Sequence, residues 1–268
     1  MNDSLIAREF LETGRSESCP VIDMHAHYGP FNGIYMPNDQ PAQMIATMDR
    51  CGVETIVSSG HTALADMTRG NAEMAAITPH YPGRWYAYLV YNPNYPVEGR
   101  AELESYDARP TFVGLKFHPT MHKYPLTGEG YRPALEFAAA RRLMVLSHTW
   151  GGSAYDSPAH VAEVAARYPE VTFLAGHSGH GEFEACMDVA RKYPNVYLEL
   201  TAAYAVRGLI ERMVEHVGAH KILFGYDLPW FDPHYAIGCV VMAHISDSAR
   251  RAILRENALR LLAQAKRA

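Results

Sequence analysis

The sequence predicts an α/β fold of the (β/α)8 TIM-barrel class, and three observations carry that prediction. Short runs rich in Val, Ile, Leu, Phe and Tyr recur eight times, separated by segments of helical character. The length of 268 residues is close to the usual size of such a barrel. The runs look buried on both faces, as parallel strands covered by helices must be. A doubly wound dinucleotide-binding sheet would want a glycine-rich turn after the first strand. Here that strand leads into DMHAHYGPFNG, with no GxGxxG.

The apolar runs place strands at Val21–His27, Glu54–Ser59, Trp85–Tyr91 and Phe112–His118. Four more follow at Leu143–His148, Val171–His177, Val196–Thr201 and Lys221–Asp227. Helices are expected between them at Pro41–Cys51, Ala63–Thr78, Glu98–Tyr106, Tyr131–Arg141, Pro158–Tyr168, Gly181–Lys192 and Ala205–Val217. Asp39 with Pro41 suits the opening of the first helix, and Ser157 before Pro158 suits a cap with proline at the first helical position. After the last strand come Tyr235–His244 and a long terminal helix, Asp247–Ala265. Tyrosine and methionine stripes within these helices read as core. Residues 1–20 form an N-terminal extension, packed on the barrel or partly mobile, and residues 21–268 form one catalytic domain. There is no internal linker, repeat or low-complexity tract.

Composition narrows the class. Hydrophobic residues make up 48% and charged residues 20%, ordinary values for a globular chain, which excludes disorder, collagen-like fibres and coiled coils. The 24 basic and 29 acidic residues give a net charge of -5, which does not favour nucleic acid as a partner. No run of eighteen apolar residues is present, so no membrane partner is expected. The N-terminus has early acidic residues and no apolar stretch, unlike a signal peptide. Cys19, Cys51, Cys186 and Cys239 lie far apart without a CxxC pair, which suits reduced thiols and a cytoplasmic location.

The chemistry sits at the strand ends. The first strand ends His25-Ala26-His27, and side chains alternate along a strand, so both imidazoles point the same way. The fifth strand ends at His148, the sixth at His177 and the eighth at Asp227. All reach the C-terminal rim, where barrel active sites are assembled. Three histidine nitrogens and a carboxylate oxygen can hold a borderline divalent ion and leave a place for water. Without a function, five polar groups aimed into a barrel would be costly. The fourth strand adds Lys116 and His118 on one face. Lys116 could be a buried ammonium paired to a carboxylate, an anchor for a substrate carboxylate, or a carbamate bridging two metals. His118 could orient a loop or touch substrate.

This arrangement resembles the amidohydrolase superfamily, in particular the amidohydrolase-related branch that includes aminocarboxymuconate-semialdehyde decarboxylase. The resemblance runs from Val21 to Leu262 through IDMHAH, GLKFHP, VLSHTW, VTFLAGHSG, ILFGYDLPW and RAILRENALRLL. It implies one divalent ion, zinc or alternatively manganese, held by His25, His27, His148 and Asp227. It implies that His177 binds or deprotonates the metal-bound water, with Asp227 as a ligand and proton shuttle. Two departures stand out. Tyr226 precedes the aspartate where many relatives carry a small residue. In GHTALADMTRG only Arg69 is available to match the arginine that grips a substrate carboxylate in the best-known decarboxylase.

The leading expectation is hydrolysis of an amide, lactone or ester by metal-activated water. The alternative is non-oxidative loss of carbon dioxide from an unsaturated or aromatic acid, since the same groups serve both. A non-catalytic binding protein would be expected to lack one of the five rim groups. Tyr28, Phe31, Tyr35, Met36, Trp150, Trp230 and Phe231 offer an aromatic lining that fits a small organic substrate better than a sugar phosphate. Within that lining, Tyr28, Trp150 and Trp230 are expected to touch substrate, with Lys116, His118 and Arg69. Barrels of this branch often pair, so a homodimer is expected.

Overall fold

Eight parallel strands lie side by side in sequence order in the computed structural model, which describes residues 4–265. They are β1 (Val21–Tyr28), β2 (Val53–Gly60), β3 (Trp85–Val90), β4 (Phe112–Phe117), β5 (Met144–Trp150), β6 (Thr172–His180), β7 (Val196–Glu199) and β8 (Ile222–Leu223). Each adjacent pair from β1 to β8 is parallel. Main-chain bonds from Met24 N to Phe224 O (2.9 Å), Asp227 N to His25 O (2.8 Å) and His27 N to Leu228 O (2.6 Å) draw the two edges together. The fold is the expected (β/α)8 barrel.

Two large apolar cores and a small cluster of Ala63, Leu64 and Val90 hold it. The outer one lies between the strands and the surrounding helices. The inner one fills the base of the barrel with Ile22, Met24, Tyr88, Leu146, Leu174 and Leu223, closed below by Ala258, Leu261 and Leu262 of the helix Asn257–Ala265. Among the described residues this plug closes the base of the barrel.

Three elements differ from expectation for local reasons. The eighth strand is two residues long, because the chain leaves extended geometry to reach Asp227 at φ 64°. The expected helix Ala63–Thr78 is split into His61–Ala65 and Met67–Ile77. Asp66 breaks it, its side chain capping the second helix by accepting from Arg69 N at 3.1 Å. The terminal helix Asp247–Ala265 is interrupted by a π-helical turn at Ala252–Glu256. The extension forms a helix at Leu5–Thr13, anchored through Ser4 Oγ to Asp247 (2.5 Å) and through buried Ile6 and Ala7. Among the described residues no helix is long and apolar enough to cross a membrane.

Candidate metal centre

A bulge in β1 builds the first half of the site. Ile22 and Met24 point into the inner core, and strict alternation would send His25 and His27 outward. The register with β2 slips between Asp23 and Ala26, so both histidines also face the barrel axis. Asp23 Oδ1 accepts from the His25 main-chain N–H at 2.8 Å and so replaces the bond the bulge removes. Ala26 then faces the outer core.

His25 is completely buried. Its Nδ1 lies 2.7 Å from Glu199 Oε2, and its Nε2 lies 2.7 Å from Lys116 Nζ. A carboxylate can only accept and an ammonium can only donate, so the His25 proton sits on Nδ1 and its lone pair on Nε2. His27 Nδ1 meets Ser59 Oγ at 3.1 Å. On the other side, Asp227 Oδ1 is 3.1 Å from His27 Nε2 and 3.6 Å from His25 Nε2.

Two more imidazoles come from β5 and β6. His148 Nδ1 meets Asp156 Oδ2 at 2.8 Å, and its ring is stacked between His118 (centroids 4.2 Å) and Trp150 (5.7 Å). His177 sits at φ 60°, a left-handed conformation that is uncommon outside glycine and concentrates at functional sites. Its Nδ1 donates to Thr201 O at 3.3 Å, which leaves Nε2 for the cavity. The His177 ring is 4.8 Å from that of His148 and 5.0 Å from that of His25.

Burial sets the charge states. It holds His25 and His177 well below the usual imidazole range, reinforced by Lys116 at His25 and by His25 at His177. Burial likewise lowers His27. Asp227 titrates low: burial opposes its charge, but the imidazoles of His25, His27 and His177 outweigh that. Burial brings Lys116 down to about 8 against the pull of Asp227 and Glu199. The resulting set is one of neutral imidazoles beside an ionised carboxylate.

These residues fit a metal ion. His25, His27 and Asp227 bring their donor atoms within 4.8 Å of one another, and buried Asp227 Oδ1 has no hydrogen-bond partner. Donors bound to one ion at about 2.1 Å lie roughly 3 Å or more apart, which matches the spacings of 3.1 and 3.6 Å. With its proton held on Nδ1, His25 faces the ionised Asp227 carboxylate at 3.6 Å with a lone pair on Nε2, a repulsion that a cation would relieve. Glu199 and Asp156 take the Nδ1 protons of His25 and His148, the arrangement that orients metal-binding histidines.

The site opens into a cavity of about 320 Å3 lined by His25, His27, His148, His177 and Asp227 and by Phe31, His61, Leu64, Lys116, His118, Met121, Trp150, Ala202, Trp230 and Phe231. All five expected rim groups and the expected Lys116, His118, Trp150 and Trp230 therefore meet. Tyr28 and Arg69 do not line it. Tyr28 packs edge-on against Trp85, and exposed Arg69 pairs with Glu73 at 3.0 Å.

The amidohydrolase family profile matches residues 22–264. The chain belongs to the amidohydrolase family. A search of curated protein sequences finds no match. Among solved structures, an uncharacterized TIM-barrel protein from Bordetella bronchiseptica is 20% identical with a TM-score of 0.77, covering 91% of this chain and 99% of that one. 2,6-Dihydroxybenzoate decarboxylase from Rhizobium is 17% identical with a TM-score of 0.75, covering 91% and 99%. A dihydroxybenzoic acid decarboxylase from Polaromonas, solved with manganese and the inhibitor 2-nitroresorcinol, is 17% identical with a TM-score of 0.72, covering 91% and 97%.

In this amidohydrolase, four polar residues of the site, Glu199, His61, Asp156 and Ser59, were not anticipated from the sequence, nor were the lining residues Leu64, Met121 and Ala202. Glu199 carried a signal, being a lone carboxylate inside the apolar run VYLEL. His61 also carried one, at the end of the second strand: its Nδ1 donates to Gly29 O (2.7 Å) and its Nε2 accepts from Trp230 Nε1 (2.8 Å), tying two rim loops together. Asp156 lies in an irregular loop and Ser59 in an ordinary strand, and neither is marked by any local pattern.

Proposed function

We propose that this amidohydrolase is a divalent-metal-dependent carboxy-lyase that removes carbon dioxide, without oxidation, from a small aromatic or unsaturated carboxylic acid. One observation carries the reading: the donor cluster opens into a cavity walled by Phe31, Leu64, Met121, Trp150, Trp230 and Phe231, and Lys116 is the one lysine or arginine in its lining. No hydroxyl or carboxamide side chain lines it to recognise a sugar or peptide. His25, His27, His148 and Asp227 would hold the ion. Imidazole donors suit zinc, and the manganese of the Polaromonas decarboxylase supports that metal as the alternative. When bound, the ion supplies a Lewis acid to the substrate carboxylate or a neighbouring oxygen.

The protein's own groups do the rest. The aromatic walls hold a planar substrate and exclude water, an environment that disfavours a localised carboxylate charge and favours its departure as neutral carbon dioxide. Lys116 offers the carboxylate a single cationic donor in place of the expected arginine. His177 Nε2, whose lone pair faces the cavity, takes one proton from solvent and passes it to the carbon that loses carbon dioxide, so hydrogen replaces carboxylate and one proton is consumed per turnover.

Hydrolysis of an amide, lactone or ester is the second reading, favoured by His177 Nε2, whose lone pair faces the cavity and can take a proton from water. A panel of aromatic and unsaturated acids, lactones and amides separates the two. Carbon dioxide release with uptake of one proton and no 18O from labelled water supports the carboxy-lyase. Incorporation of 18O into product without carbon dioxide overturns it in favour of hydrolysis. A cytoplasmic homodimer belongs to the same proposal. Its four free cysteines support the reducing setting, and sedimentation at micromolar concentration tests the dimer.

A further inference from the structure

Glu199, at the end of β7, is wholly buried and lies outside the cavity lining, yet three groups of the site converge on its carboxylate. Oε2 accepts from His25 Nδ1 at 2.7 Å and from the main-chain N–H of His177 at 3.1 Å. Oε1 accepts from the main-chain N–H of Thr201 at 2.7 Å. The carbonyl of Thr201 in turn receives His177 Nδ1, so the same side chain grips His177 by its backbone and, through Thr201, by its ring. Room for the carboxylate depends on Gly225: a Cβ there would lie 2.2 Å from Glu199 Oε1 and 2.8 Å from His25 Cβ.

We propose that Glu199 is a positioning residue that sets the ring tautomer of His25 and the seat of His177, coupling a metal ligand to the proton-transferring histidine through one carboxylate. A buried carboxylate is expensive to maintain, and main-chain capping alone would not require it to face an imidazole. With the His25 proton drawn to Nδ1, the Nε2 lone pair is committed to the donor cluster. With the His177 N–H held, its left-handed backbone is kept in place and its ring stays beside His25.

The inference rests on the metal-centre reading, and Glu199→Gln separates the two. Three N–H donors converge on two oxygens, so either amide orientation turns an NH2 group against at least one of them. If it faces His25, the ring can relieve the clash only by moving its proton to Nε2. The expected result is a folded variant whose zinc affinity, measured by competition with a chromophoric chelator, falls about 10- to 100-fold. In metal-free 15N-labelled protein, the His25 imidazole should carry its proton on Nδ1 in the wild type and lose that preference in the variant. If the wild type binds zinc and the folded variant binds it equally tightly, the positioning proposal is overturned and the metal centre stands. If the wild type binds neither zinc nor manganese, the metal centre falls and the proposal with it. Should Glu199→Gln fail to fold, Gly225→Ala presses on Oε1 while leaving its charge, and unchanged zinc affinity there overturns the proposal. A wild-type His25 protonated on Nε2 overturns it without any variant.

Discussion

Replacing Asp156 with Asn tests how much of the metal centre depends on the orientation of His148. Asp156 is fully buried, and its Oδ2 receives His148 Nδ1 at 2.8 Å, Thr120 Oγ1 at 2.8 Å and the Thr120 main-chain N–H at 3.3 Å. Oδ1 lies 2.9 Å from Thr120 Oγ1. In Asp156→Asn the amide oxygen can take the Oδ2 position, and the Thr120 hydroxyl can rotate to accept from the new NH2 group, so the fold survives. What is lost is the charge on the His148 bond. Hydrogen bonds to charged groups contribute about 1.5–3 kcal/mol and neutral ones about 0.5–1.5, a difference of about 1 kcal/mol. Removal of an orienting carboxylate typically weakens metal binding about 10- to 100-fold, or roughly 1.4–2.8 kcal/mol. Zinc affinity should therefore fall by at least about tenfold, with the metal-free midpoint of thermal unfolding lowered by about 2–4 °C. Asp156→Ala removes the acceptor of His148 Nδ1 and of Thr120 altogether and should weaken zinc binding and stability more than the Asn change does. A folded Asn variant that binds zinc as tightly as the wild type would refute the assignment of His148 as an oriented ligand.

Three other expectations follow from named residues. His177→Asn should fold, since Asn tolerates the left-handed backbone at φ 60°, keep zinc affinity within about threefold and lower kcat by about 10²-fold or more. Loss of zinc in step with turnover would make His177 a ligand instead. Arg69→Ala should leave KM unchanged and stability within about 0.5 kcal/mol, because the exposed pair with Glu73 is an ordinary i,i+4 contact; a tenfold rise in KM would restore it as a substrate anchor. Metal-free stability should decline as pH falls from about 6.5 to 5. Burial holds the folded pKa values of His25, His27, His61, His118, His122 and His177 below the unfolded value. The unfolded chain therefore takes up protons that the native state refuses. The loss levels off near pH 4 for His122 and near pH 3 for His61, while the raised carboxyls of Asp23 and Glu199 act in the opposite sense. Urea titrations at pH 7.5, 6 and 5 measure this, and a flat profile would contradict it.

The barrel was legible because its signal is local. Each apolar run announces a strand covered on both sides, and the polar residue ending the run marks the rim. That logic found His25, His27, His148, His177 and Asp227 without any contact information. It could not find the split at Asp66, because a capping aspartate inside a helical pattern looks like any exposed acid until its side chain turns back to Arg69 N. Nor could it shorten the eighth strand, whose residues keep the composition of a strand while Gly225 and Asp227 take the chain elsewhere.

By itself, then, the sequence determined the class of fold and the five polar groups that gather at one rim of the barrel. Only the tertiary structure decided how those groups are held. The bulge in β1 puts Met24, His25 and His27 on one side of a strand where alternation allows only two of them. The proton on His25 is placed by Glu199, a residue 174 positions away, and the proton on His148 by a loop carboxylate. Arg69 and Tyr28 had the right chemistry but were turned to other partners. Residue type and spacing are properties of neighbouring positions along the chain. The partner of a ring nitrogen is a property of whatever the closed barrel brings within about 3 Å, and no local pattern encodes it.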